Sequence, residues 1–361
     1  MAKKKAKSII DDSMFTSLDD FFEETKRVCV VPVSPALDIK LHGGLPEGSL
    51  MLVRALPKTG KTVLLTQIAV NALRQGRYVF FADTERRLLA QKYFSEEIKE
   101  QYSDKLKFIR SKKKEKPLSG EQIYKTIYDL MKLPKYTGSL FIVDSLSSIV
   151  PQATLDDDEI KSDRRDTVPK LNADAMKKLG NLLRINSCIL IGTQHLITDT
   201  SPGPMSGRLI PVGGIKLEFD ADIVLDSRHR PYNLEGESVK TVDGEDLTGQ
   251  LIKWDLTYNK LGPPYISKSP DDKIHNYIKF GQGVFWAKEA FSVLKDLGLV
   301  SVAGSWITLT TESLNEKIQG QEKMIDFIND NRESIEPIIK NYMLETYNVS
   351  YEFEGPTVEE E

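Results

Sequence analysis

The apolar positions change period several times along the chain. Ile9, Ile10, Phe15, Leu18, Phe21 and Phe22 fall at helical spacings, so a short helix is expected over 8–26. A helix of that length owns no core, and its apolar face needs something to cover it. From Val28 a strand–turn–strand stretch follows. Short, almost wholly apolar runs then alternate with helical patterns to about residue 230, at 79–82, 140–143, 188–191 and 223–225. Strands buried on both faces read this way. Helical segments between them, such as 62–75 and 173–184, imply crossovers in a largely parallel sheet. Residues 249–259 and 274–280 alternate apolar with polar, which predicts added antiparallel strands. From Ala287 the pattern turns helical, with a small hairpin expected within 297–309. No internal repeat is visible.

Composition narrows the class. The chain has 361 residues, 40% hydrophobic and 28% charged, as in a soluble globular protein with one sizeable core and one or two smaller modules. Its apolar runs are strand-sized, so no bilayer span is expected. The lysine-rich residues 1–7 have no apolar run behind them and do not read as a secretory signal. Two cysteines, Cys29 and Cys188, both in apolar stretches, exclude a disulfide framework and point to a reducing cytoplasm. Net charge is −4, yet residues 345–361 hold six Glu and no Lys or Arg, so the body is slightly basic. The acidic end reads as a solvated tail, or as a competitor with a polyanion for a basic surface.

The chemistry sits at the strand ends. Ala55, Leu56, Pro57, Lys58, Thr59, Gly60, Lys61 and Thr62 follow a strand over 49–54 and open a helix. This is the setting of a phosphate loop, whose backbone N–H groups wrap phosphates at a helix N-terminus. Lys61 is placed to reach the β- and γ-phosphates and Thr62 to ligate Mg²⁺. Ala55 stands where the strict pattern has glycine. A Gly-Lys-Thr tripeptide alone is common, but Asp144 ends the run 140–143, where a carboxylate can hold Mg²⁺ or its water at the sheet edge. The run 79–82 ends in Asp83-Thr84-Glu85. Hydrolysis needs a base near the γ-phosphate; Glu85 is the candidate and Asp83 the second choice. The run 188–191 leads to Gln194, whose amide can report the γ-phosphate to a neighbouring loop, and to His195, read as a structural or hinge residue. Residues 198–207 are rich in turn formers and expected to be mobile, with Arg208, Gly213 and Gly214 after them. A second long connection over 151–169 carries an acidic cluster beside Lys161, Arg164 and Arg165, with Lys170 next. Two such loops at a nucleotide edge suit a protein that grips a polymer in response to ATP.

As a set these segments resemble the RecA-like DNA recombinases, most closely a phage-type member. The resemblance rests on Val33-Ser34-Pro35-Ala36-Leu37-Asp38, the glycine-rich 43–48, the loop 55–62, Asp83-Thr84-Glu85, Val143-Asp144-Ser145, Gln194, Gly213-Gly214, Asn259-Lys260, 303–306 and Gly320-Gln321. It implies an α/β fold: a RecA-type P-loop ATPase core with a mostly parallel central sheet, a short N-terminal helix and a small α/β C-terminal domain. The implied division is 1–30 for oligomerisation, 31–285 for the ATPase and DNA-binding core, 286–345 for the small domain and 346–361 for an acidic flexible tail. It also implies that Glu85 activates the hydrolytic water, Gln194 senses the γ-phosphate, and Lys260 reaches the neighbouring subunit's ATP site. Residues 152–169 and 195–212 become the DNA loops, with Arg164, Arg165, Lys170, Arg208, Gly213 and Gly214 as contacts. Phe219 falls near the interface aromatic, and Tyr93 is the candidate to stack on adenine. Tyr258 replaces a second trans cation found in many relatives. The N-terminal helix would cover the next subunit, building an open filament.

The expected function is ATP-dependent DNA strand exchange. With ATP and Mg²⁺ the protein would assemble on single-stranded DNA, pair it with homologous duplex and hydrolyse ATP for turnover. A bacterial or phage-infected cytoplasm and a loader or single-strand-binding partner go with that reading. DNA binding should be salt-sensitive, and the acidic end would act as a brake on duplex capture. A RecA-fold ring helicase shares the phosphate loop and acids, and a non-catalytic mediator shares the DNA contacts. The loop pair favours a recombinase over the ring. Glu85, Gln194 and Lys260 together favour an enzyme over an adaptor.

Overall fold

The computed structural model describes residues 16–24, 28–157, 167–201, 207–228, 232–234, 248–261 and 275–356. Helix α1 (Leu18–Glu24) precedes strand β1 (Val28–Val31), helix α2 (Pro35–Lys40) and strand β2 (Leu45–Pro46). Strand β3 (Leu50–Ala55) leads into α3 (Lys61–Arg74), and β4 (Val79–Asp83) into α4 (Ala90–Tyr93) and α5 (Glu96–Tyr102). Next come β5 (Leu106–Phe108), α6 (Gly120–Met131), β6 (Leu140–Asp144), α7 (Gln152–Leu155) and α8 (Thr167–Ile185). They are followed by β7 (Ile189–Thr198), β8 (Leu209–Pro211), α9 (Leu217–Asp220), β9 (Ile223–Ser227), β10 (Gly249–Ile252), β11 (Asp255–Asn259), β12 (Asn276–Lys279) and β13 (Gly283–Val284). The C-terminal part holds α10 (Trp286–Asp296), β14 (Val300–Ala303), β15 (Trp306–Thr310), β16 (Asn315–Gln319), α11 (Gln321–Asp330), α12 (Arg332–Tyr347) and β17 (Val349–Ser350).

The main sheet runs β11-β9-β3-β7-β6-β4-β5, with β8 paired to β7. Pairs from β9 through β5 are parallel, while β11 on β9 and β8 on β7 are antiparallel. Side chains alternate along a strand. On β3, Leu50 and Leu52 therefore join Ile127 of α6 and Leu179 of α8, while Met51, Val53 and Ala55 join Leu65 and Ile68 of α3. Both faces are covered, which is why the runs are apolar throughout. The parallel register sets Asp83 beside Asp144, Arg54 beside Gln194 and Ala55 beside His195, all at one edge.

The alternating segments form the antiparallel sheet β10-β12-β13, with β11 added to the main sheet. The expected hairpin is a three-stranded sheet, β14-β15-β16, packed with α10, α11 and α12 around Leu294, Leu309, Met324 and Ile335. The N-terminal helix is described only over Leu18–Glu24; Ile9, Ile10 and Phe15 lie outside the described residues.

The acidic end differs from the flexible tail expected over 346–361. Val349 and Ser350 pair in parallel with Val28 and Cys29. The Tyr351 hydroxyl donates to Gly43 O at 2.7 Å, and the Phe353 ring lies 3.9 Å from the Arg77 guanidinium. Arg77 is fully buried, bonded to Glu47 and to Gly138 O, and the ring completes its enclosure. Residues 357–361 lie outside the described residues. Among the described residues no helix is long and apolar enough to cross a membrane.

Candidate functional site

The loop between β3 and α3 turns at Gly60, which caps α3 in the left-handed region at φ +75. That conformation favours glycine, and a Cβ there would have to push back the terminal methyls of Ile278 and Ile252. The Lys61 ammonium is buried and donates to the carbonyls of Ala55 and Leu56, each at 3.0 Å. Burial holds its pKa below the usual lysine range against the opposing pull of Asp144 and Glu85. The Thr59 hydroxyl donates to Leu56 O at 2.7 Å. Ala55 is the last residue of β3 and its methyl is core. Pro57, Lys58, Thr59, Gly60, Lys61 and Thr62 line a cleft of ≈ 960 Å³, and Ala55 and Leu56 stand behind Lys61.

Asp144, at the end of β6, sits between two hydroxyl donors. Thr62 Oγ1 reaches Oδ2 at 3.2 Å and Thr193 Oγ1 reaches Oδ1 at 2.6 Å. Burial raises the Asp144 pKa despite both bonds. A cation beside it would relieve that cost, and the Thr62 hydroxyl next to the carboxylate is a donor set suited to Mg²⁺. Among the described residues no group of three or more His, Cys, Asp or Glu is gathered for a metal. The remaining ligands would be phosphate oxygens and water, as Mg²⁺ prefers.

The two acids at the end of β4, Asp83 and Glu85, both line the cleft but bond differently. Asp83 accepts from the amides of Arg87 and Leu88, both at 3.2 Å, and so shapes the turn. Glu85 Oε1 accepts from Ser145 Oγ at 3.0 Å, Ser148 Oγ at 3.4 Å and His195 Nε2 at 2.5 Å. Burial would raise the Glu85 pKa, but the His195 and Ser145 contacts, with Arg87 near, bring it below the ordinary range. Glu85, Asp144, His195 and Tyr93 all line the cleft.

Gln194 is placed differently from the expected sensor. It is buried, does not line the cleft, and donates to Val212 O at 3.0 Å and Gly214 O at 3.2 Å. The segment it holds is the returning arm of a hairpin, since Leu196, Ile197 and Thr198 pair with Pro211, Ile210 and Leu209. The loop expected to be mobile over 198–207 rises from a β-hairpin base, and its residues 202–206 lie outside the described residues. Asn172 of α8 ties the same segment to β6, donating to Gly213 O at 2.8 Å and Leu146 O at 3.2 Å while accepting from Tyr124. A Cβ on Gly213 would lie 3.1 Å from Leu146 O, at φ +93.

Lys170 and Arg208 are exposed; Arg164 and Arg165 lie outside the described residues. Phe219 is 78% exposed, and the Lys260 ammonium donates to its carbonyl at 2.7 Å, away from the cleft lining of its own chain. The side chain of Tyr258 lies outside the described residues.

Sequence reasoning missed two clusters. His195 meets Glu85 across 110 positions, and only strand register could have paired them. Arg54, a lone cation in an apolar run, is buried against Asp226 at 2.6 Å and Glu218 at 2.5 Å. Its charge at that position was the available signal.

A model of the RecA N-terminal domain matches residues 16–284. The protein named Protein RecA of Chloroherpeton thalassium is 28% identical over 302 residues, covering 82% of this chain and 76% of its own length. Those of Streptomyces avermitilis and Thermotoga maritima are 28% identical over 336 residues and 27% over 320, covering 91% and 86% of this chain and 80% and 81% of their own lengths.

Proposed function

Because the chain belongs to the RecA family, we propose that its cleft binds and hydrolyses ATP while the loops at the same sheet edge grip DNA. The protein is a DNA strand-exchange recombinase and a DNA-dependent ATPase, and like its family it binds DNA and assembles into filaments. A ring motor or a mediator without catalysis is not favoured. The observation that carries the reading is the meeting of Lys61, Thr62, Glu85 and Asp144 on one cleft whose rim opens into the hairpin through His195.

In this reading the backbone N–H groups of residues 58–61 wrap the phosphates, and Lys61 exchanges its two carbonyls for phosphate oxygens. Thr62 and Asp144 would hold Mg²⁺, which would supply positive charge beside the phosphates. Glu85 orients the attacking water and takes its proton. Tyr93 offers its ring to adenine. Gln194 acts through the segment it bonds, relaying the state of the cleft to residues 212–214. Lys170, Arg208 and Gly214, with Arg164 and Arg165, meet DNA, while Gly213 is buried and supports the segment through Asn172. Phe219 and Lys260 meet the next subunit, where Lys260 serves the neighbour's ATP. The phage-type branch, the division at 30 and 285, a cytoplasmic setting and a separate loader belong to the same proposal.

The test is ATP hydrolysis with and without poly(dT), for wild type and Glu85→Gln. Wild type should be stimulated by the DNA, and the variant should lose about 10²-fold or more of the stimulated rate. Full hydrolysis in the variant would remove Glu85 from the chemistry.

A further inference from the structure

The hydrogen bonds around Glu85 come from two kinds of segment. Ser145 and Ser148 belong to the turn after β6. That turn is tied down by Thr84, whose hydroxyl accepts from Ser145 N at 2.7 Å and donates to Ser145 O at 2.8 Å. His195 belongs to β7, at the point where the strand leaves the main sheet and enters the hairpin. A carboxylate only accepts, so Nε2 carries the proton that Glu85 receives. The backbone of the same residue is fastened to the returning arm: His195 O accepts from Val212 N at 2.9 Å. Its N–H donates to Ser147 Oγ at 2.9 Å, and that hydroxyl donates to Val212 O at 3.0 Å. The imidazole and the hairpin base are therefore joined through one residue, whose backbone also pairs with Ala55 of β3.

A carboxylate steadied as its anion by three donors is a poorer proton acceptor than one with fewer. Its other oxygen lies 3.5 Å from the exposed Arg87 guanidinium. We propose that His195 is a positioning residue that restrains Glu85 while residues 196–198 and 209–211 rest as paired arms, and that displacement of these arms by single-stranded DNA draws the imidazole off Oε1. The base is thereby freed only on the polymer. The inference rests on the reading of Glu85 as base and of 195–212 as a DNA loop. It assigns the coupling to His195, while Gln194 bonds only the returning segment.

The test compares His195→Ala and His195→Gln with wild type, measuring ATP hydrolysis with and without poly(dT), and poly(dT) binding separately. The DNA-free rate of His195→Ala should rise about fivefold, the rate equivalent of one ~1 kcal/mol hydrogen bond, with the stimulated rate and DNA binding kept. His195→Gln, whose amide N–H can reach Oε1, should retain the wild-type ratio. If His195→Ala does not fold, His195→Asn replaces it. Its shorter amide cannot reach Glu85, so it should lose the DNA dependence that Gln retains. A fall of both rates in proportion, or an unchanged DNA-free rate in Ala or Asn, would overturn the proposal. Glu85→Gln separates the two levels: if that variant is inert while His195→Ala stays DNA-dependent, the restraint fails and the reading of the base stands. If Glu85→Gln hydrolyses ATP normally, the reading beneath it fails.

Discussion

Glu289 sits on α10 with no exposure to solvent, accepting from Asn276 and the amides of Tyr277 and Ala36. It joins the small domain to α2 and β12, and Asp38 is the other buried acid beside it. Burial pushes Glu289 up from 4.5 to about 7, against its hydrogen bonds. The folded protein thus binds this proton more tightly than the unfolded chain. Its contribution is fully present below the ordinary carboxylate range and is lost as pH rises through about 7, on the order of 3 kcal/mol in all. Wild type should melt higher at about pH 5 than at about pH 8, and Glu289→Gln should flatten that difference. An equal slope in the variant would place the effect elsewhere. At this scale the sequence was most informative where chemistry is contiguous. Residues 55–62 were legible because a strand end, a glycine, a lysine and a threonine follow one another. The partners of Glu85 were not, because Ser145, Ser148 and His195 arrive from two other strand ends.

Among the elements, β3, β4, β6, β7 and β9 were visible as apolar runs because both their faces are buried. The strand β17 was hidden for the opposite reason. It is two residues long, lies in an acidic segment, and exists only because β1 offers an edge. The hairpin base was hidden too, since its pairing of 196–198 with 209–211 joins short arms across a run of turn residues. The docked end gives a sharp expectation. Truncation after residue 345 removes β17, Tyr351 and Phe353, and should destabilise the protein by at least ~2 kcal/mol, from one cation–π contact and one hydrogen bond. Truncation after 356 leaves them in place and should leave thermal unfolding unchanged. Both truncations remove Glu359, Glu360 and Glu361, so both should raise duplex affinity if the acidic end is a brake on duplex capture. Equal stability of the two forms would mean the docking contributes nothing.

Across the whole molecule, parallel strands bring residues 55–62, Asp144, Glu85 and one arm of the hairpin to a single edge, the groups proposed to hold phosphate and Mg²⁺, to activate water and to meet DNA. Asn172 and Gln194 tie that hairpin's returning segment back to α8 and β7. The opposite arm of the design is the surface holding Phe219 and Lys260, with Ile215 and Leu261 also exposed beside it in sequence. A protomer alone leaves that apolar surface in water, whereas a head-to-tail neighbour would cover it and bring Lys260 to a second cleft. ATP, DNA and subunit contacts are thus expected to act as one unit. The direct measurement is strand exchange between circular single-stranded DNA and linear duplex in the presence of Mg²⁺. Joint molecules should form with ATP and a homologous duplex, and be absent without ATP or with a heterologous one. Failure to form them with homologous duplex, in protein that binds single-stranded DNA and hydrolyses ATP on it, would contradict the account.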